Sequence, residues 1–195
     1  MRDRGRNTGS RVQFIRPGRT SVLIVCEGSE TEPTYLEHIK EEKSRVLDIK
    51  VDPGRNAANM LARIERLLRI RGYDYMWCVL DHDERNGIEQ TLEQIRQQHS
   101  VAFSNPCIEI WYYWHFDAQG PCTKSMIQRL LKQKIHGYHK SMDVYSQLLP
   151  MRDAARGRAS EWRQRNKEFG ASEFVNPSTG MDQLIQFLDE LEADS

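Results

Sequence analysis

The sequence predicts an α/β fold, a mainly parallel sheet flanked by helices in a Rossmann-like layout, with a helical extension at its C-terminal end. Three observations predict it. SVLIVC at 21–26 and YMWCVL at 75–80 are short continuous apolar runs that suit strands buried on both faces. Segments of helical periodicity separate such runs, and turn residues mark the junctions between them. The organisation read from this is a basic arm over 1–20, an α/β core over 21–118 and a helical extension over 119–195 packed on that core.

A chain of 195 residues suffices for one well-buried core with elaborations, whereas two independent domains would be cramped. The four cysteines, Cys26, Cys78, Cys107 and Cys122, form no C-x-x-C pair. They read as reduced thiols, not as a zinc site or a disulfide framework. The N-terminal stretch lacks a secretory apolar region and no run reaches membrane-spanning length, so the expected location is the cytoplasm, with no membrane partner. Formal net charge is zero. Attraction to nucleic acid must therefore come from local asymmetry, which exists in the arm: Arg2, Arg4, Arg6, Arg11, Arg16 and Arg19 stand against the single acid Asp3. Arg16 and Arg19 are candidate phosphate contacts, and a solvated tail explains the same composition.

The first strand ends at Glu27-Gly28. Ser29 or Thr31 can cap the helix that follows, with Tyr35, Leu36 and Ile39 facing inward to about Glu42. Leu47, Ile49 and Val51 alternate with polar residues, which predicts a second strand near the sheet edge that ends at Asp52-Pro53-Gly54. Asn56 can cap a helix from Ala57 to Ile70, whose apolar residues Met60, Leu61, Ile64, Leu67 and Leu68 leave Arg63, Arg66 and Arg69 for solvent. The third strand, Tyr75–Leu80, stops at Asp81-His82-Asp83-Glu84. Ile88, Leu92 and Ile95 mark another helix, Val101–Phe103 a fourth strand, and Ser104-Asn105-Pro106 the turn into an aromatic helix, CIEIWYYWHF. From Thr123 onward the pattern is helical, ending in a helix with Leu184, Ile185, Leu188 and Leu191 on its inner face.

In open parallel sheets the ligand site lies outside the carboxyl ends of the strands. Glu27, Asp81, Asp83 and Asn105 each follow a predicted strand end, so the fold gathers them on one rim. Clustered carboxylates repel unless a cation sits among them, and magnesium or manganese takes oxygen ligands. Asp81 and Asp83 form the candidate metal pair. Glu27 is the third acid, able to hold the ion or move a proton, and Gly28 lets a phosphate approach the backbone. Acids after a strand also serve as turn formers or helix caps.

The segments VCEGSETEPTYLEHI, VLDHDE and SNPCIEIWYYWHF resemble the RloB family of prokaryotic proteins, encoded beside restriction and phage-defence genes, and GYHKSMDVYSQLL and VNPSTGMDQLIQFL resemble its later blocks. The likeness runs from about Ser21 to about Leu191. Members of that family are regarded as having a Toprim-like core, the metal-binding fold of topoisomerases, bacterial primases and some overcoming-lysogenisation-defect nucleases. The resemblance implies metal-dependent phosphodiester chemistry in anti-phage defence, with Glu27 matching the Toprim glutamate and Asp81 and Asp83 its Asp-x-Asp. Some members of the family are paired with an ATPase, so the resemblance also implies such a partner; the chain itself has no phosphate-binding loop of the G-x-x-x-x-G-K-[ST] or G-x-G-x-x-G kind. Such a fold supports several reactions, so a nuclease stands beside a nucleotidyl transferase or phosphohydrolase and beside a non-catalytic subunit that binds nucleic acid or the ATPase.

Secondary candidates complete the reading. Glu109 could face the rim or solvent, and Asn105 could hold Glu27 or a phosphate, or cap a helix. Trp111 to Phe116 could stack bases or fill a core. Tyr138 and Lys140, after Gly137, are candidate phosphate contacts, with Lys140 also able to pair with the acids. His82 points away from its flanking aspartates by strand alternation and is not read as a ligand. DNA or RNA as substrate, and the oligomeric state, stay open.

Overall fold

The computed structural model describes residues 18–53, 60–82, 88–172 and 174–194. In chain order the core contains β1 (Thr20–Cys26), α1 (Thr31–Lys43), β2 (Leu47–Pro53), α2 (Met60–Ile70), β3 (Tyr75–Asp81), α3 (Ile88–Arg96) and β4 (Ser100–Asn105). There follow α4 (Glu109–Trp114), α5 (Lys124–Lys134), α6 (Tyr145–Leu148), α7 (Arg152–Glu168), β5 (Ser178–Thr179) and α8 (Met181–Ala193). The sheet order is β2-β1-β3-β4-β5, parallel except for β5, which runs antiparallel to β4.

The alternation along β1 explains the layering. Val22, Ile24 and Cys26 face one side, where they meet α1, α4, α5, α7 and α8 residues such as Leu36, Trp111, Leu131, Ala159 and Leu184. Leu23 and Val25 face the other, against Met60 and Ile64 of α2 and Leu92 and Ile95 of α3. With helices on both sides, β1 and β3 must be apolar on both faces, which is why their sequences run without polar interruption. β2, covered on one face only, alternates buried and half-buried residues as its edge position requires.

Several sequence expectations change in detail. α1 starts at Thr31 with Glu30 in the cap position and no side-chain cap, because the Thr31 hydroxyl donates instead to the Lys140 carbonyl at 3.1 Å. Arg63 is drawn from solvent into an ion pair with Asp52 of β2. The expected cap at Asn56 lies outside the described residues. The extension is not purely helical, since Ser178 and Thr179 add a strand to the sheet. Gly180 permits this: a side chain there would sit 3.0 Å from the Ala102 Cα, and its amide donates to the Phe103 carbonyl at 2.9 Å. α8 then packs on β4, tied to α7 where one guanidinium nitrogen of Arg163 bonds both oxygens of buried Asp182 at 2.6 and 2.8 Å.

All four cysteines are free and buried. Trp111, Tyr112, Tyr113, Trp114 and His115 are each at most 5 % exposed, so the aromatic helix fills the core and offers no stacking platform. No described helix is long and apolar enough to cross a membrane.

Candidate active site

The parallel register fixes the rim. Cys26 pairs with Val79 and Asp81 with Ser104, and the Glu27 amide donates to the Val79 carbonyl at 3.0 Å, one step beyond the end of β1. Glu27 and Asp81 therefore leave adjacent central strands at the same end of the sheet, as the strand-end rule predicts. Asp83 lies outside the described residues.

Two further acids join them. Glu32, in the first turn of α1, is 3 % exposed, and Glu109, at the start of α4, is 1 % exposed and accepts from Gln128 Nε2 at 3.2 Å. Burial, the largest influence, raises the pKa of Glu32, and repulsion from Glu109 and Glu27 adds to it against its own backbone amide and Lys140. Asp81 is pushed well above the ordinary carboxylate range first by burial and then by Glu32 and Glu109, with Lys124 and the Ile108 amide opposing. As a residue Asp81 is only partly covered, yet its Oδ1 is shut away from solvent and has no hydrogen-bond partner among the described residues. Carboxylates shielded from water that repel one another take up protons or a cation, because the fully charged, empty cluster is electrostatically unfavourable.

Gly28 carries a second structural demand. A methyl group on its Cα would collide with the Glu32 carboxyl, which folds back over the turn. The glycine so identified in the sequence makes room for Glu32, an acid of the same cluster. Glu32 lies in the first turn of α1, five residues past Glu27.

Lys140 is exposed, and its charge lowers the pKa of Glu32. Through its carbonyl it is bonded to Thr31, so the loop after α5 is strapped to the start of α1 beside the acids. The other proposed contacts fall elsewhere. Tyr138 is 3 % exposed; burial raises its pKa, helped by Glu109 and Cys107, which makes it a packing neighbour of Glu109 instead of a surface phosphate contact. Asn105 neither holds Glu27 nor caps α4, whose cap position is Ile108; its Nδ2 donates to the Phe174 carbonyl at 2.9 Å. Arg19 sits at the opposite end of β1, where it bonds the carbonyls of Ser44 and Leu47 and pins the α1–β2 turn. Arg16 lies outside the described residues. The His82 ring packs edge-on near Phe103 at 6.2 Å, in keeping with strand alternation.

Among the described residues no group of three or more His, Cys, Asp or Glu side chains has the arrangement of a metal site. The donor chemistry nonetheless fits a hard divalent ion: oxygen donors only, on a strand-end rim, with the Asp81 Oδ1 lacking a partner. Glu27 and Asp81 are the described acids at that rim, with Glu32 and Glu109 withdrawn from solvent behind them.

Neither the curated proteins nor the solved structures contain a match to this chain. The sequence model of the family described as RloB-like protein matches residues 22–188, close to the span over which the sequence blocks suggest the likeness. That span covers most of the chain, both the central sheet and the elements from α4 to α8, and on it the chain belongs to the RloB-like protein family.

Proposed function

We propose that this chain is a magnesium- or manganese-dependent nuclease of prokaryotic anti-phage defence, acting on DNA or RNA at the rim formed by Glu27 and Asp81. The observation that carries the reading is Asp81, a partly covered aspartate at the end of a central parallel strand, repelled by Glu32 and Glu109 and with its enclosed Oδ1 unsatisfied among the described residues. A divalent ion bound there would supply positive charge to the phosphate oxygens as the phosphodiester breaks. Asp81, with Asp83, would hold it. Glu27, less enclosed than Glu32 and Glu109, has the access to take a proton from an attacking water. Lys140, exposed and close enough to offset part of the upward push on Glu32, would contact a neighbouring phosphate.

One observation favours a second reading: no three described acids converge as a metal site. A non-catalytic subunit binding nucleic acid or an ATPase would need no such convergence. The two separate in one experiment. Purified protein is incubated with tRNA, single-stranded DNA and duplex DNA in magnesium or manganese, beside Glu27→Ala, Asp81→Ala and a chelator control. Cleavage lost in both variants and with chelator supports the nuclease. Equal behaviour of wild type and variants, repeated with a partner ATPase added, leaves the binding subunit.

A further inference from the structure

One cavity, about 540 Å³ and lined by Tyr73, Asp74, Arg96 and His99, opens at the amino ends of β3 and β4, away from the acids. A second cavity, about 320 Å³, opens at their carboxyl ends and is lined by His82, Asn105, Pro106, Cys122, Lys124 and Asn176. Its position decides its interest: His82 follows Asp81 directly, and Asn105 ends the neighbouring strand.

The lining is chemically selective. The His82 imidazole and the Pro106 ring give flat, weakly polar walls. Asn176 cannot turn toward a ligand, because its Oδ1 accepts from the Cys122 amide at 3.0 Å and its Nδ2 donates to the Cys122 carbonyl at 2.7 Å. Asn105 spends its amide group on Phe174, which leaves its Oδ1 as an acceptor engaged by no described residue. Lys124, in the first turn of α5 after the Thr123 cap, is half-buried and makes no hydrogen bond or ion pair with a described residue. Lys124 lines the cavity, and its charge is felt at Asp81, so it lies within electrostatic reach of the acidic rim. A flat group with a donor edge, joined to an anion, meets each of these features.

We infer that this cavity receives one unpaired nucleobase of a single-stranded nucleic acid, with Lys124 on the phosphate that links that nucleotide to the acidic rim. A base within a duplex is stacked and paired and cannot enter such a cavity, so the geometry selects single strands or frayed ends. The inference rests on the rim being a phosphodiester site and adds the substrate class to it.

The test measures binding, not cleavage. Fluorescence anisotropy follows a labelled single-stranded oligonucleotide, the corresponding duplex, and a strand in which every base is replaced by an abasic site, in EDTA and separately in calcium. The single strand binds at least ~10-fold more tightly than either competitor. Lys124→Gln weakens it by ~10-fold, Lys124→Arg restores most of the loss, and Lys132→Gln, at the far end of α5, changes nothing. Equal binding of duplex or abasic strand, insensitivity to Lys124→Gln, or no binding by the wild type in either condition overturns the inference. Because binding is read without cleavage, absent nuclease activity with intact Lys124-dependent binding counts against the rim alone.

Discussion

At the residue scale the site turns on the mutual repulsion of Glu27, Glu32, Asp81 and Glu109. Gly28→Ala brings a methyl group into the place of the Glu32 carboxyl while leaving the backbone of the turn intact. The expected outcome is a fall in cleavage of ~10-fold or more with a small change in thermal midpoint, read by a rate assay beside a melt. Asp81 yields a pH prediction. Its folded pKa lies above the unfolded value of 3.8, so the metal-free native state holds a proton that the unfolded chain releases. Stability therefore declines as pH rises from 3.8 through the raised value, and acidification does not cost this group anything. Asp81→Asn removes that slope and raises the metal-free midpoint at pH 7 by ~2–4 °C, the change that about 1 kcal/mol makes in a chain of this size. A melt in EDTA from pH 5 to 8 checks it, and an unchanged slope contradicts it. Glu27 and Asp81 were legible because each ends an apolar run. Glu32 and Lys124 were not, since first-turn helix residues are commonly charged for reasons of capping and dipole, and nothing local distinguishes these two.

At the scale of elements, α1 is the hinge between the sheet and the later helices. Tyr112 donates to the Thr31 carbonyl, Ser141 to Glu30, and His38 lies 2.8 Å from Asp143 while stacking on Tyr145. At the far end of the helix Glu42 takes two nitrogens of Arg152 at 3.0 and 2.9 Å and the hydroxyl of Tyr145. Burial pushes Glu42 up, but the Arg152 and Tyr145 hydrogen bonds outweigh it and bring its pKa to about 2. A lowered pKa means stability present above the ordinary 4.5 and lost as pH falls from there toward 2. Arg152→Ala costs about 1–3 kcal/mol at pH 7, discounted for the partial exposure of Glu42, and its gap to wild type narrows as pH drops through that window. Urea unfolding at pH 7 and pH 3 measures the gap; a gap that stays constant removes Glu42 as its cause. The helices were readable from their 3.6-residue spacing, whereas these straps join residues about 100 positions apart and leave no periodic trace.

At the scale of the whole molecule, the extension both packs on the sheet and adds a strand to it. β5 covers the β4 edge, Gly180 lets it approach, and Phe187 of α8 reaches across to Tyr75 and Trp77 of β3. Truncation after Gly170 therefore uncovers the β4 edge and removes Met181, Leu184, Ile185 and Leu188 from the core. The shortened chain loses cooperative unfolding in a melt; a sharp transition near the full-length midpoint would make the extension dispensable. Most of the architecture was legible, the parallel core above all, because strands buried on both faces announce themselves as unbroken apolar runs. β5 was not, since a two-residue strand owes its existence to its partner and carries no pattern of its own.

The central claim is that the acidic rim binds a divalent ion, and manganese titration by calorimetry tests it most directly. Wild-type protein and Asp81→Asn are compared at pH 7 after exhaustive chelation, with melts confirming that both are folded. Saturable binding by the wild type, weakened at least ~10-fold by Asp81→Asn, is the predicted result. Absence of binding, or equal binding by the two proteins, would contradict the account and leave the buried carboxylates as proton-sharing groups of the fold.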